Sequence, residues 1–225
     1  MNRNYHALCA TLLAFVLVLV MCSQFIKDTT ARADSEKVVY LTFDDGPSDR
    51  VTPKILDILK EENIKATFFI VGTAAENRKY LLERELSEGH TIAVHSYTHR
   101  YSQIYSSAEN LLADIDKCNE VIKSVTGAYS TVYRFPGGSF GLNDELINAV
   151  REHGMKYVDW NASLCDADYC NAPSEVLYAN AVATSKGRDR VVLLAHDTTT
   201  KTTTAKALKD IIRYFKSQNY KFATL

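Results

Sequence analysis

Residues Val38 to Pro47, VVYLTFDDGP, decide how the rest of the chain is read. Val38 to Phe43 is short, apolar and rich in β-branched and aromatic residues, the composition of a strand covered on both faces. Gly46-Pro47 ends it. Asp44 and Asp45 therefore fall at the carboxyl end of a strand, the side on which barrels of alternating strands and helices carry their chemistry. Two adjacent carboxylates there repel each other and lose hydration, a cost that a cation, an Arg or a protonated His relieves. Taken alone, Asp-Asp-Gly is most simply a solvated turn. The residues around it change that reading.

Outward from this strand, apolar runs alternate with helical patterns. Strands are expected over 66–71, 91–94, 132–135, 156–160, 190–195 and 221–224, and helices over 52–62, 78–88, 107–126, 143–153, 174–185 and 202–218. Thr52 before Pro53 and Ser107 before the longest helix are the expected caps. Gly89, Gly127 and Gly154 end three of the helices. Strands and helices alternate seven times, which argues an α/β fold with a largely parallel sheet, open or closed into a barrel. One domain over 34–225 is the simplest partition.

The 225 residues are 46% hydrophobic and 24% charged, an ordinary globular composition. The net charge of −1 and the lack of a basic cluster exclude a nucleic-acid-binding surface. Arg3 and His6 precede an apolar run from Ala7 to Cys22, broken only by Thr11, and Ala31-Arg32-Ala33 follows. This pattern predicts either a secretory signal cleaved after Ala33 or a retained anchor, so 1–33 is set apart and any membrane association is expected through it alone. Cys165 and Cys170 are close enough to pair outside the cell. Cys118 falls in a helical stripe and reads as a buried thiol. His90 and His153 sit at helix ends, where an imidazolium suits the helix dipole.

The polar residues recur at one position of the pattern. Asp44 and Asp45 follow strand one, His95 and His99 follow strand three, Arg134 lies in strand four, Trp160 ends strand five and His196 follows strand six. In a parallel barrel all of them converge on one rim. His95 and His99 are four apart, and on a helical turn both imidazoles would share one face. A lone His is usually packed or solvated, and a lone Arg134 would read as a strand-end surface residue. One Asp with two His, however, makes a three-donor site with open positions, the arrangement of a catalytic cation. Imidazole and carboxylate suit Zn2+, with Co2+, Ni2+ and Fe2+ as alternatives. Tyr97, Tyr101 and Tyr105 either stack on a ligand or pack the loop beside the His pair.

These residues carry a resemblance. The chain is similar to the polysaccharide deacetylase family, carbohydrate esterase family four, over most of 37–225. Thr42-Phe43-Asp44-Asp45-Gly46 matches its first motif and His95-Ser96-Tyr97-Thr98-His99 its second. Arg134-Phe135-Pro136-Gly137-Gly138 matches its third and Leu194-Ala195-His196 its last. The resemblance implies a distorted (β/α)7 barrel. It also implies Asp44 as general base, Asp45, His95 and His99 as metal ligands, His196 as general acid and Arg134 as the charge partner of Asp44. Pro136 and Gly137 would border the substrate, with the Gly137 N–H facing the developing oxyanion, while Trp160 and Leu194 would wall the acetyl pocket. Gly137 stands where the family often has Tyr. The fourth motif is ambiguous: Asp159-Trp160 matches by identity and Asp166 by spacing, with Asp166 the favoured partner of His196. The expected activity is metal-dependent N-deacetylation of N-acetylglucosamine units, foremost in peptidoglycan of the cell wall, by a monomeric secreted or anchored enzyme. Alternatives are an O-acetyl esterase on xylan, a deacetylase of chitin oligomers or exopolysaccharide, and a metal-free carbohydrate-binding barrel. A binding module, though, has no need of both a base and an acid.

Overall fold

A computed structural model describes residues 36–168 and 172–225. The expected signal or anchor over 1–33 lies outside the described residues, as does Cys170 of the expected 165–170 pair. The fold is that of the unit Lys37–Leu225.

β1 (Val38–Asp44) is the axis of the sheet. Along one side it pairs with β7 (Arg190–His196) over its whole length, from Val38↔Arg190 to Asp44↔His196. Its other side is shared: β8 (Lys221–Ala223) takes Val38 to Tyr40, and β2 (Thr67–Val71) takes Thr42 to Asp44. β3 (Thr91–Ser96), β4 (Val132–Tyr133) and β5 (Lys156–Tyr157) extend the sheet beyond β2, and β6 (Ala162–Ser163) extends it beyond β7. Every described pairing is parallel.

The order β5-β4-β3-β2-β1-β7-β6 returns almost to its start. Laid flat at about 4.8 Å per strand, β5 and β6 would stand about 29 Å apart. The linker 158–161 that joins them reaches about 17 Å at full stretch. The sheet must therefore curl, and it forms the distorted barrel that the resemblance implies. Two details differ from expectation. β6 is an eighth strand of two residues, too short to leave a periodic signal. β4 and β5 are also two residues each; just beyond them the N–H groups of Arg134 and Val158 still bond to the neighbouring strand, while their carbonyls face His95 Nδ1 and Arg134 Nε.

The helices cover the outside: α1 (Thr52–Glu61), the single turn α2 (Gly72–Ala75), α3 (Lys79–Ser87), the single turn α4 (Tyr101–Ile104), α5 (Ala108–Thr126), α6 (Asp144–Glu152), α7 (Ser174–Ser185) and α8 (Thr202–Ser217). Ser107 caps α5 as expected, its side chain accepting from the Asn110 N–H, and Gly127 closes it in the left-handed conformation. Thr52 is not the cap of α1; Val51 is, and the Thr52 hydroxyl is used elsewhere. Both faces of β1 are buried: Val39, Leu41 and Phe43 pack with Ile55 and Leu59 of α1, Phe68 and Ile70 of β2, Ile115 of α5 and Phe215 of α8. Cys118 is in this core, its thiol against the Ile70 carbonyl at 3.2 Å. His90 is not a charged helix-end residue. Its Nδ1 accepts from the Ala66 N–H at 3.1 Å, and burial pushes its pKa down to about 4, so the ring is neutral.

Candidate active site and metal centre

The rim where β1, β3 and β7 end holds the polar residues. β1 delivers Asp44 into the interior, where its Oδ1 pairs with Arg134 Nη1 at 2.8 Å. Arg134 is itself fully buried, just past β4. A buried ion pair is tolerated only when its remaining donors are bound. Arg134 meets that condition through Thr42 Oγ1 at 2.8 Å and the Val158 carbonyl at 2.9 Å, with its guanidinium over the Phe69 ring. Asp45 adopts φ 73°, which turns its carboxylate away from that of Asp44. The next residue must be glycine: a Cβ on Gly46 would lie 2.2 Å from Asp197 Oδ1. Asp197 fastens this loop. Its N–H donates to the Asp44 carbonyl at 3.3 Å, its carbonyl accepts from Ser48 Oγ at 2.6 Å, and its carboxyl accepts from the Thr52 hydroxyl. Burial pushes the Asp197 carboxyl up to about 7.

His95 is the penultimate residue of β3, with Nδ1 2.8 Å from the Arg134 carbonyl. A carbonyl only accepts, so Nδ1 carries the proton and the Nε2 lone pair is free for a cation. Nε2 stands 3.2 Å from Asp45 Oδ1, and His99 Nε2 stands 3.1 Å from the same oxygen. The segment between the two imidazoles is not a helical turn. The strand runs through Ser96 and the chain then folds back, with His99 at φ 55°. Polar clamps hold that turn. Ser96 Oγ accepts from the His99 N–H at 2.8 Å, while one carboxylate, Asp114 of α5, accepts from Ser96 Oγ, the Tyr97 N–H, the Thr98 N–H and Thr98 Oγ1 at 2.5–3.0 Å.

The donors of Asp45, His95 and His99 all lie within 4.8 Å of one another, a group able to hold a metal ion. Two observations test the fit. Asp45 Oδ1 is buried, yet no hydrogen bond among the described residues satisfies it, because the two ring nitrogens are near but not aimed to donate. Donors about 2.0–2.1 Å from a tetrahedral ion sit about 3.3–3.4 Å apart, close to the 3.1–3.2 Å found here. The residues fit a divalent cation. Burial alone would raise the Asp45 carboxyl, but His95 and His99 outweigh it and hold it far below the usual carboxylate range. Burial alone would lower His99, and Asp45 outweighs it in the same way, so the imidazole is raised.

His196 ends β7. Its Nδ1 lies 2.8 Å from Asp166 Oδ1, and its backbone N–H donates to Asp166 Oδ2 at 2.9 Å. Thr204 Oγ1 holds the same carboxylate at 2.8 Å. Burial opposes charging the ring, but the bond to Asp166 and the nearby Asp44 and Asp45 push its pKa up to about 9. Asp159 does other work, accepting from the Ser139 N–H at 2.9 Å and from the Ser139 hydroxyl. Asp44, Asp45, His95, His99 and His196 face one cleft of about 510 Å³, with Gly137, Trp160 and Leu194 in its walls. Pro136 is buried behind Gly137, its carbonyl accepting from Tyr105 Oη at 2.7 Å. Tyr97 is turned away, bonded to Glu76, whereas Tyr101 lines the cleft. Asp114 and Asp197 were not singled out from the sequence. The one available signal for Asp114 was position: it falls three residues after Leu111 and four before Cys118, on the inward stripe of an amphipathic helix.

Comparison with known proteins agrees with this geometry. The family model for polysaccharide deacetylase matches residues 31–158. A peptidoglycan-N-acetylglucosamine deacetylase of Listeria monocytogenes is 36% identical over 194 residues, covering 86% of this chain but only 39% of the relative, so the chain spans about two-fifths of that protein. A peptidoglycan-N-acetylglucosamine deacetylase of Bacillus cereus is 32% identical over 192 residues, covering 85% of this chain and 88% of the relative. Among solved structures, the catalytic domain of a peptidoglycan N-acetylglucosamine deacetylase from Eubacterium rectale superposes with a TM-score of 0.78 at 35% identity, covering 84% of this chain and 88% of the other. The cleft with its carboxylate–arginine pair, its three-donor set and its carboxylate-backed imidazole thus sits on a shared fold, and the chain belongs to the polysaccharide deacetylase family.

Proposed function

We propose that this chain is an extracellular N-deacetylase that removes acetyl groups from N-acetylglucosamine units of peptidoglycan, with Zn2+ held by Asp45, His95 and His99. Residues 1–33 would be its export signal or anchor. The observation that carries the reading is the presence in one cleft of a buried carboxylate tied to Arg134 and an imidazole tied to Asp166, both beside the three-donor set. When bound, the cation supplies Lewis-acid polarisation of the amide carbonyl and lowers the pKa of the attacking water.

The chain's own groups divide the proton work. Asp44 Oδ1 is committed to Arg134, which leaves Oδ2 to take a proton from the attacking water. Asp166 holds the Nδ1 proton of His196, so Nε2 carries the proton that the leaving nitrogen needs when the C–N bond breaks. The Gly137 N–H would receive the negative oxygen that forms on the carbonyl, since Gly137 lines the cleft. Water is consumed, and acetate and a free glucosamine amine are released. Trp160 and Leu194 give the acetyl methyl an apolar wall. The two related peptidoglycan deacetylases support the choice of polymer.

The test is acetate release by the purified protein from N-acetylated peptidoglycan, from N-acetylglucosamine oligomers and from acetylated xylan. Release from the first at the highest kcat/KM is expected. Release from xylan alone would replace the amide reading with an ester one, and binding of a glycan without any release would leave only the carbohydrate-binding alternative.

A further inference from the structure

Asp166 aims the His196 ring, yet the sheet does not hold Asp166. β6 stops after two residues, and one further bond, from the Leu164 N–H to the Leu194 carbonyl at 3.0 Å, continues its ladder. α7 fixes the same segment only as far as Leu164, whose carbonyl accepts from Asn180 Nδ2 at 3.1 Å. Cys165 then enters the left-handed region at φ 54°, and Asp166 follows in irregular backbone, buried to 3% exposure. Backbone outside a ladder keeps its conformational freedom unless other groups remove it. A carboxylate at that depth stays ionised only when its oxygens find donors.

Both needs are met from the start of α8. Lys201, the residue that precedes its first turn, donates from Nζ to the Asp166 carbonyl at 2.6 Å. Thr204, fully buried in that turn, donates from Oγ1 to Asp166 Oδ2 at 2.8 Å. One residue thus holds the backbone of Asp166 and the other its carboxylate. Its remaining bonds go to the group being aimed: Oδ2 also takes the His196 N–H, and Oδ1 is left for His196 Nδ1. The clamp is itself anchored. The connection from His196 to α8 is short and closed on itself, with the Lys201 N–H on the Thr198 carbonyl at 2.9 Å and the Thr204 N–H on the Lys201 carbonyl at 3.2 Å. The N-terminal end of a helix also carries partial positive charge, which suits an anion placed there.

We propose that Lys201 and Thr204 are positioning residues that clamp Asp166 from the start of α8, so that Nε2 of His196 is held towards the cleft for proton transfer. This rests on His196 as the acid of the reaction read above, but the His196–Asp166 bond is observable without turnover. The experiment uses the full protein. It measures kcat and KM for acetate release from N-acetylglucosamine tetramer, together with the downfield 1H NMR signal of the His196 Nδ1 proton, assigned by its loss in Asp166→Ala. Thr204→Val, close in shape, should lower kcat about five- to twentyfold with KM within about twofold, and should shift or broaden the Nδ1 signal. Thr204→Ser should restore both. Lys201→Met, at a half-buried position where the fold is not at stake, should move the signal too and lower kcat about two- to fivefold. In an Asp166→Ala background, Thr204→Val should cost less than about twofold more, because its effect passes through Asp166. An Nδ1 signal unmoved in both Thr204→Val and Lys201→Met would overturn the proposal, as would wild-type kcat in both. Losses that multiply in the double variant would also overturn it, since they mark packing and not action through Asp166. If the wild-type protein released no acetate, the deacetylase reading would fall and the NMR signal alone would decide the clamp.

Discussion

Asp44 and Asp45 are adjacent in sequence and opposite in use. Asp44 continues the strand and meets Arg134, whereas Asp45 crosses into the left-handed region and meets two imidazoles. The separation predicts separable phenotypes. Asp44→Asn should keep the cation, read by metal analysis of the purified variant, and lower turnover about 10²- to 10⁴-fold; wild-type turnover would place the base elsewhere. His196 carries a second prediction. Its folded pKa, about 9, is raised above the usual 6.5, so the imidazolium persists until pH passes about 9 and is then lost. Asp166 is the largest influence raising it. Asp166→Asn should therefore move the alkaline limb of the pH–rate profile to lower pH, and a limb that stays in place would separate Asp166 from the acid.

Two loops supply the three metal-ligand candidates, and they were unequally legible. The β1 loop could be read because an apolar strand, two carboxylates and Gly-Pro each leave a local signal. The β3 loop could be read only for its residue types: a four-residue spacing is compatible with a helical turn, but Ser96 and Asp114 fold the segment back through bonds, those to Asp114 long-range, that no local pattern contains. Asp114 left only its position on the inward stripe as a signal, since one acid in a charged amphipathic helix looks solvated. Identity and spacing divided the fourth motif between Asp159 and Asp166, and only distance separates them: one lies on Ser139, the other on His196. At this scale Asp114→Ala should weaken cation affinity about 10- to 100-fold, as loss of a ligand-orienting group does, with the circular dichroism of the fold retained. Unchanged affinity would make Asp114 a packing residue only.

Across the whole molecule, alternation gave the parallel layers, and the short linker between β5 and β6 accounts for the curl. What alternation could not show is where the fold buries charge at a cost. Glu85 of α3 is fully buried, and neither carboxylate oxygen finds a hydrogen bond among the described residues. Burial, and then the nearby Asp197, raise its pKa well above the usual 4.5. A raised carboxyl favours the folded state below pH 4.5 and loses that contribution as pH climbs, so Glu85→Gln should stabilise the protein more at pH 8 than at pH 5, by about 1–3 kcal/mol in thermal or urea unfolding. A destabilised variant at pH 8 would show that the carboxylate has a partner. His90 acts in the opposite direction. Its pKa of about 4 means that stability falls as pH drops from 6.5 towards 4. Turnover should depend on an ion held by Asp45, His95 and His99. Acetate release from N-acetylated peptidoglycan, measured after dialysis against a chelator, as Zn2+ is added back, and in His95→Ala, tests that dependence. Dialysis should abolish activity, added Zn2+ should restore it to saturation at one ion per chain, and the variant should not recover. Full activity in metal-free protein, or in His95→Ala, would contradict it.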